Sequence, residues 1–244
     1  MIYSQKDYNY IHSSIMKILQ IVDNNLSCNN IFYTLACGTV LGAVREKGFI
    51  AWDLDADIFI KVCDKEAVRN ILKSKFSDKY RYIDSSQDSV ATHDQIIFEF
   101  NNSYYGLDIY PLIGFPESEK SIKKTILECR LKNKIYGAKY ANISRARSFI
   151  KKAALVWLKL ILFFVPNKLI RNDILKMENR HSFDNCKNIS YIALDGRRGE
   201  VMPKNIIFET KRSFFEGEML PIPCAYEEYL KNVYGDDYMT PRKY

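Results

Sequence analysis

The sequence is poor in the residues that build disulfide frameworks and zinc sites. Its 244 residues include three histidines and six cysteines. The cysteines stand far apart, and no two of them form a Cys-x-x-Cys pair. This spacing argues against a disulfide-stapled fold and a structural zinc site, and it indicates reduced thiols.

Targeting segments and long apolar runs are also missing. The N-terminus lacks the basic start and apolar run of a signal peptide. The apolar run at 153–165 has 13 residues and contains Lys159, which is shorter than the roughly 20 residues of a membrane-spanning helix. We therefore expect a cytoplasmic protein. With 47% hydrophobic residues, the chain is long enough for one large domain or for a domain with a helical extension.

Apolar periodicity predicts an α+β fold. A three-to-four-residue repeat predicts a helix over residues 5–27, and strands follow at 31–36 and 54–62 with a short helix between them. The segments "YRYID", "DQIIFEF" and "YGLDIY" predict further strands, the last of which is expected to stop at Pro111. We predict a mixed sheet flanked by helices as a catalytic core over residues 1–115, with a mostly helical extension over 116–244 packed on it.

Three aspartates alternate at the start of the second strand. In "WDLDADIFI", Asp53, Asp55 and Asp57 share one face, while Leu54 and Ala56 belong to the core face. Neighbouring acids on such a face lie about 6.6 Å apart and repel by roughly 2.5 kcal/mol. A bound divalent cation would turn this repulsion into ligation; the alternative is a row of acids that simply faces water at the strand entrance.

A phosphate site is expected beside this row. Gly38 and Thr39 follow a strand and open a helix, where backbone N–H groups and the helix dipole receive anions. Arg45 lies further along the same helix and could reach the same anion. A glycine and a threonine at a helix start are a weak signal alone, but their place before a row of acids strengthens it.

Asp108 is an isolated acid in the apolar strand "YGLDIYPL". If that strand lies beside 54–62, Asp108 completes a three-carboxylate site; otherwise it is a satisfied buried acid or a turn residue. Oxygen-only ligands beside phosphate suit Mg²⁺ or Mn²⁺ and not zinc.

These segments resemble the LicD family. The stretch "GTVLGAVREKGFIAWDLDADIFI" (38–60) is similar to its signature G-T-L-L-G-A-V-R followed by G-F-I-P-W-D-D-D-I-D-I. The segment "LDIYPL" resembles the family's D-I-F-P-L strand, and "LPIPCAYEEYLKNVYGDDYMTP" resembles its closing pattern. The resemblance extends from about residue 6 to 244, and the first motif is long and specific.

The resemblance implies a nucleotidyltransferase-like fold and metal-dependent transfer of a phospho-alcohol from a CDP-activated donor, with CMP as the leaving group. The best-known case moves phosphocholine from CDP-choline onto lipopolysaccharide or teichoic acid, and relatives use other CDP-alcohols. The residues that match the family's motifs are Asp55 and Asp57 as the D-x-D pair, Asp108 as the third acid, Asp53 as the acid after Trp52, and Gly38, Thr39 and Arg45 as the phosphate turn.

The sequence departs from the family pattern at Leu54, which replaces the middle acid, and at Ala51, which replaces a proline. Because position 54 belongs to the other face, its change should leave the metal row intact. If the donor is choline, an aromatic cage is expected. Trp52, Tyr104, Tyr105 and Tyr110 are candidates for it, although aromatic residues in strands are more often core.

Most of the net charge of +7 comes from one segment. Residues 143–176 hold eight basic residues, among them Arg145, Arg147, Lys152 and Lys159, against the single acid Asp173. This pattern predicts a helix with a narrow basic side and a broad apolar side. It would lie on the inner membrane surface or pack into the domain with its lysines reaching water. Nucleic-acid binding is not expected, because the charge is interleaved with apolar residues.

Two other functions remain open at this stage. The Gly-Thr turn and D-x-D pair also serve nucleotidyltransferases that move NMP to a small molecule and release pyrophosphate. A noncatalytic partner in surface assembly would keep only the fold, although the retained acids argue against it. The expected partners of the favoured function are a CDP-alcohol and a glycan or glycolipid acceptor.

Overall fold

The structure is a computed structural model that describes residues 3–87, 92–145, 148–192 and 200–241. Arg147 and the last three residues of the chain lie outside these ranges. Within them the chain forms a mixed sheet covered by helices, as predicted.

The helices within the described ranges vary from one turn to more than six. They are α1 Gln5–Cys28, α2 Cys37–Arg45, α3 Lys65–Lys73, α4 Glu119–Tyr140, α5 Phe149–Phe163, α6 Asn167–Leu175, α7 Asn205–Phe208 and α8 Tyr226–Tyr234.

The strands in the described part of the chain form one large sheet and one hairpin. They are β1 Tyr33–Leu35, β2 Asp55–Lys61, β3 Arg81–Ile83, β4 Asp94–Phe100, β5 Ser103–Phe115, β6 Asn188–Ser190, β7 Met202–Pro203, β8 Thr210–Phe215 and β9 Glu218–Pro223. The large sheet runs β1-β2-β5-β4-β3, β6 and β7 continue it beyond the end of β5, and β8 pairs with β9.

The predicted helix at 5–27 is confirmed as α1. Ser4 and Asp7 form a reciprocal capping box at its start, which satisfies two otherwise unpaired N–H groups. Its apolar stripe, including Ile11, Ile15 and Leu19, is fully buried and packs against the sheet beside β5.

The pairing of β2 with β5 positions the site. These two strands are parallel, and Asp57 lies directly opposite Asp108. β4 pairs antiparallel on the other side of β5 and places Gln95 opposite Asp108. The alternation predicted for β2 is confirmed, because Ala56 and Ile58 are fully buried while Asp55 remains exposed.

The expected stop at Pro111 is wrong, since β5 continues to Phe115. Pro111 pairs with Ile60 of β2 on one side. On the other side, the pairing with β4 ends at Ile109 and the pairing with β6 begins at Ile113. Pro111 therefore stands in a gap of that edge, where its missing N–H costs no ladder hydrogen bond.

The second half of the chain is only partly helical. It adds β6 and β7 to the large sheet and supplies the β8–β9 hairpin, whereas the sequence predicted mostly helices. The hairpin lies against β1, where the Thr34 hydroxyl donates to the Pro221 carbonyl at 3.2 Å. The two predicted segments thus share one sheet, and the boundary at residue 115 stays a prediction.

None of the described helices is both long and apolar enough to cross a membrane by itself. Helices α5 and α6 satisfy the length and composition criteria only as a pair, and their axes bend by 95° at the break between them.

Candidate functional site

A tight turn between β1 and α2 forms one wall of the site. Ala36 is extended, Cys37 takes a left-handed φ of 45°, and α2 begins there. The Cys37 N–H donates to the Tyr229 hydroxyl at 2.9 Å. A non-glycine residue in this region of φ is strained, so the contact with α8 helps to hold the turn.

Asp55, Asp57 and Asp108 extend from adjacent strands onto one face of the sheet. The direct register of Asp57 with Asp108 and the two-residue step to Asp55 place the three residues next to one another on that face. Beyond them the same face becomes apolar, because Phe59 is buried under the rings of Tyr191 and Tyr229.

Asp53 joins this group from the turn before β2 and not from the strand itself. Its N–H donates to the Ile50 carbonyl at 2.8 Å, and its own carbonyl lies 2.8 Å from His12 Nε2. Its carboxyl group is close enough to the Asp55 carboxyl to interact with it electrostatically. We call Asp53, Asp55, Asp57 and Asp108 the aspartate cluster.

Like charges and burial shift the pKa values within the cluster. Burial raises the pKa of Asp57 well above its usual range, and the charges of Asp55, Asp108 and Asp53 raise it further. Desolvation and the charge of Asp53 raise the pKa of Asp55 to about 7. Because Asp55 keeps an exposed surface, we attribute its raised pKa to the charge of Asp53 more than to burial.

Asp108 differs from the others in being surrounded by hydrogen-bond donors. Gln95 Nε2 donates to Oδ1 at 2.7 Å and the Tyr110 hydroxyl donates to Oδ2 at 3.1 Å. His93 Nε2 lies 3.3 Å from Oδ2, at ion-pair distance. Burial alone would raise the pKa of Asp108, but His93 and then Gln95 and Tyr110 hold it below its usual range.

The predicted phosphate residues lie at both ends of α2. Thr39 is buried and its hydroxyl accepts the Asp57 N–H at 2.8 Å, so it ties α2 to β2. The Arg45 side chain is almost fully buried, pairs with Glu46 and donates to the Tyr238 carbonyl at 3.2 Å.

Gly38 is required by the close approach of Asp53. A Cβ atom at position 38 would lie 2.8 Å from Asp53 Oδ2, closer than ordinary contact allows. Gly38 thus lets the Asp53 carboxylate lie against the start of α2, where the helix dipole is positive.

A cavity of about 200 Å³ opens beside Asp53, and Gly38, Arg45 and Asp53 line it. We call it the α2 cavity. Three aromatic residues from distant parts of the chain complete its wall, and they are Trp52, Tyr234 and Tyr238.

A second cavity, of about 390 Å³, opens on the other side of the cluster. We call it the β5 cavity. Asp55, Asp108 and Gln95 supply its polar wall. Its apolar wall comes from neighbouring strands and includes Leu54, Ile97, Tyr104 and Tyr105.

Several residues of the site were not predicted from the sequence. Tyr234 and Tyr238 fall in the closing pattern but had no assigned role. His93 and Gln95 reach Asp108 only through the pairing of β4 with β5. The sequence hint for this contact was Gln95, a polar residue within the strand segment "DQIIFEF". Tyr110, a candidate for the aromatic cage, instead donates to Asp108.

The cluster fits a hard divalent cation by its chemistry. Its donors are all carboxylate oxygens, which Mg²⁺ and Mn²⁺ prefer, and a cation would relieve the repulsion that raises the pKa values of Asp55 and Asp57. Within the described ranges, no group of three or more His, Cys, Asp or Glu side chains has a geometry that could already hold a metal ion. Asp55, Asp57 and Asp108 are the residues that would hold the ion, with Asp53 beside them.

The aspartate cluster lies within a segment that matches a known protein family. The profile of the LicD/FKTN/FKRP nucleotidyltransferase-domain family matches residues 30–167, which include the whole aspartate cluster. The chain is also 24% identical to the lipopolysaccharide cholinephosphotransferase LicD of Haemophilus influenzae, in an alignment that covers 93% of this chain and 94% of that protein.

The matched segment is more than half of the chain and contains both the turn before α2 and the two acidic strands. The resemblance first indicated by the sequence motifs is confirmed, and this chain belongs to the LicD family.

Proposed function

We propose that this protein transfers phosphocholine from CDP-choline to a cell-surface glycan such as lipopolysaccharide, with release of CMP. The observation that carries the proposal is the aspartate cluster placed between two cavities, which gives separate approaches to a donor and an acceptor. The similarity to a lipopolysaccharide cholinephosphotransferase supports this choice of donor group and acceptor.

The donor would occupy the α2 cavity. The Gly38 N–H and the positive end of α2 favour the diphosphate, and Arg45 lines the same cavity. Trp52, Tyr234 and Tyr238 offer the aromatic faces that bind a quaternary ammonium group. The Asp53 carboxylate would add an opposite charge for that group.

The acceptor would enter through the β5 cavity, where the exposed Tyr104 can stack against a sugar ring. A hydroxyl that approaches from this side meets Asp108, whose lowered pKa keeps it ionised and ready to accept a hydrogen bond. The hydroxyl oxygen would form a bond to the phosphorus that carries choline as the bond to the bridging oxygen of CMP breaks. The hydroxyl proton would pass to Asp108.

A divalent cation held by Asp55, Asp57 and Asp108 would supply charge stabilisation for the diphosphate when bound. We propose Mg²⁺ or Mn²⁺ for this position. Because the donor is a nucleotide made inside cells, we propose that the protein works in the cytoplasm, and cell fractionation would test this.

The direct test is to incubate the protein and Mg²⁺ with lipopolysaccharide and, separately, with CDP-choline, CDP-ribitol or CDP-glycerol. We expect CMP and a phosphocholine-labelled glycan from the first mixture, and loss of both after chelation. Pyrophosphate release from a nucleoside triphosphate with nucleotidylation of a small molecule would identify a nucleotidyltransferase instead. Absence of turnover with every donor would favour a noncatalytic partner.

A further inference from the structure

Helix α5 carries its large apolar side chains on the side that faces away from the protein. The exposed apolar side chains of α5 and its C-cap range from 39% to 85% exposed, whereas the neighbouring Leu162 is 7% exposed. Six of them define what we call the α5 apolar surface: Ile150, Trp157, Leu160, Ile161, Phe163 and Phe164.

Lys159, the lysine in the middle of α5, points toward the protein. Lys159 Nζ donates to the Lys139 carbonyl at 3.0 Å, near the end of α4. Lys139 Nζ in turn donates to the Val165 carbonyl beyond the end of α5. A helix on a water-facing surface turns its charged residues outward and its apolar stripe inward. In α5 the central Lys159 instead contacts α4, and the apolar stripe faces away from the protein.

Positive charge surrounds this surface. Lys151 and Lys152 are exposed in the first turn of α5, and Lys168 is exposed in α6. The whole segment from 143 to 176 carries a formal charge of +7 with Asp173 as its single acid. An apolar face bordered by lysines complements a layer in which acyl chains lie beneath anionic headgroups.

We propose that the α5 apolar surface lies in the interface of a membrane that contains anionic lipid. A 15-residue helix is about 22 Å long, which is less than the ~30 Å of hydrocarbon that a spanning helix must cross. The 95° bend into α6 turns the chain out of line at its end. The helix therefore lies in the plane of the membrane, with Trp157 at the depth where indole rings concentrate.

A second copy of this chain is the competing occupant. A two-fold interface through α5 would bring the same lysines of both copies together, because Lys151, Lys152 and Lys168 border the surface. Like charges opposed at the rim of an interface are unfavourable. The charge pattern therefore favours an anionic lipid surface over a second copy of the chain.

The test is co-sedimentation of the protein with vesicles of phosphatidylcholine, with and without one third phosphatidylglycerol. We expect binding to the anionic vesicles that falls at least tenfold in Ile161→Glu. The matched control is Phe214→Glu, which changes an equally apolar exposed side chain on β8 and should bind as the wild type does. Unchanged thermal unfolding of both variants would show that their folds are intact.

A second measurement reports the position of α5 directly. The chain has two tryptophans, so Trp52→Phe leaves Trp157 as the sole indole. Its emission should shift to shorter wavelength on addition of anionic vesicles, and Lys151→Glu with Lys152→Glu should weaken this response at least fivefold.

Failure to bind anionic vesicles, or equal loss of binding in Phe214→Glu, would overturn the proposal. A dimer in light scattering that Ile161→Glu converts to monomer, without vesicle binding, would identify the second copy as the occupant. None of these measurements uses a donor or an acceptor, so their outcome is separate from that of the transferase assay.

Discussion

Asp57 shows most directly how a local pattern produces a site. Its strand position could be predicted because only alternate residues of β2 are acidic. Its partner Asp108 could be predicted only conditionally, since 51 residues separate the two and their contact depends on the parallel pairing of β2 with β5. His93 and Gln95 could not be predicted, because their contact with Asp108 depends on the pairing and register of β4 with β5.

Replacement of Asp57 by Asn should abolish turnover and leave the fold intact. Burial and three neighbouring acids raise the pKa of this carboxyl group, so removing its charge relieves repulsion and should not lower the melting temperature. CMP release should fall by a factor of about 10³, the scale expected for loss of a main charge-stabilising group. Asp184→Asn, at an exposed position outside the cluster, is the control and should retain wild-type activity.

A methyl group at Gly38 should disturb activity far more than stability. The new Cβ would lie 2.8 Å from Asp53 Oδ2, which is the end of a flexible side chain and can move aside at small energetic cost. The carboxylate would then leave the α2 cavity, and we expect a tenfold or greater loss of transfer with little change in unfolding.

Gly137→Ala provides the matched control for this substitution. Gly137 lies within α4, and a Cβ atom there would meet nothing within 4 Å. Alanine should raise stability by up to about 1 kcal/mol and leave transfer unchanged. Equal activity of the Gly38→Ala and Gly137→Ala variants would remove the role assigned to Gly38.

At the scale of elements, the β8–β9 hairpin was the main feature absent from the sequence prediction. Its turn is Glu216-Gly217, with φ values of 49° and 89°, a pair of left-handed residues that favours a two-residue hairpin. Pro221 and Pro223 hid the second strand, because proline usually marks edge strands or turns. β9 nevertheless pairs with β8 and lies beside β1.

The tip of this hairpin should be energetically coupled to the loop that leads into the site. Glu216 Oε1 accepts the Phe49 N–H at 3.1 Å, and a Cβ atom at Gly48 would lie 2.1 Å from the same oxygen. Gly48→Ala should therefore destabilise the fold by about 1 kcal/mol, because the Glu216 side chain would have to move aside and lose its hydrogen bond to Phe49. Urea unfolding of the two single variants and the double variant measures the coupling.

Truncation at Glu216→Ala removes both the hydrogen bond and the atoms that collide with position 48. In that background Gly48→Ala should cost much less than in the wild type. If the cost is the same in both backgrounds, the hairpin tip does not constrain this loop.

At the scale of the whole molecule, the sequence pattern located the basic apolar segment but not its orientation. The sequence correctly indicated a helix that contains Lys152 and Lys159. Which side faces the protein depends on the carbonyl of Lys139 at the end of α4, which accepts a hydrogen bond from Lys159. The same limit applies to Tyr238, whose place beside Arg45 joins positions 193 residues apart.

Global stability toward acid should depend on a buried network away from the site. Asp94 is 2% exposed and receives two hydrogen bonds from Arg69, at 2.7 and 2.9 Å, and others from Tyr82 and the Ser85 N–H. Burial alone would raise the pKa of Asp94, but these partners, Arg69 foremost, lower it to about 2. The network joins α3 to β3 and β4, so its loss should loosen one edge of the sheet.

The lowered pKa fixes the direction of the pH dependence. A carboxyl group with a depressed pKa in the folded state adds stability above its unfolded pKa of about 3.9, and this stability is lost as the pH falls toward 2. The shift corresponds to about 2 kcal/mol. In urea unfolding, the difference in unfolding free energy between the wild type and Asp94→Asn should therefore shrink by about that amount between pH 5 and pH 2.

Glu128→Gln is the control for a general effect of surface charge. Arg180 first and then Lys132 lower the pKa of Glu128 to about 2 at a partly exposed position. Solvent screening should make its pH-dependent difference smaller, and a difference for Asp94→Asn that stays constant with pH would show that the ionised form of Asp94 does not stabilise the fold.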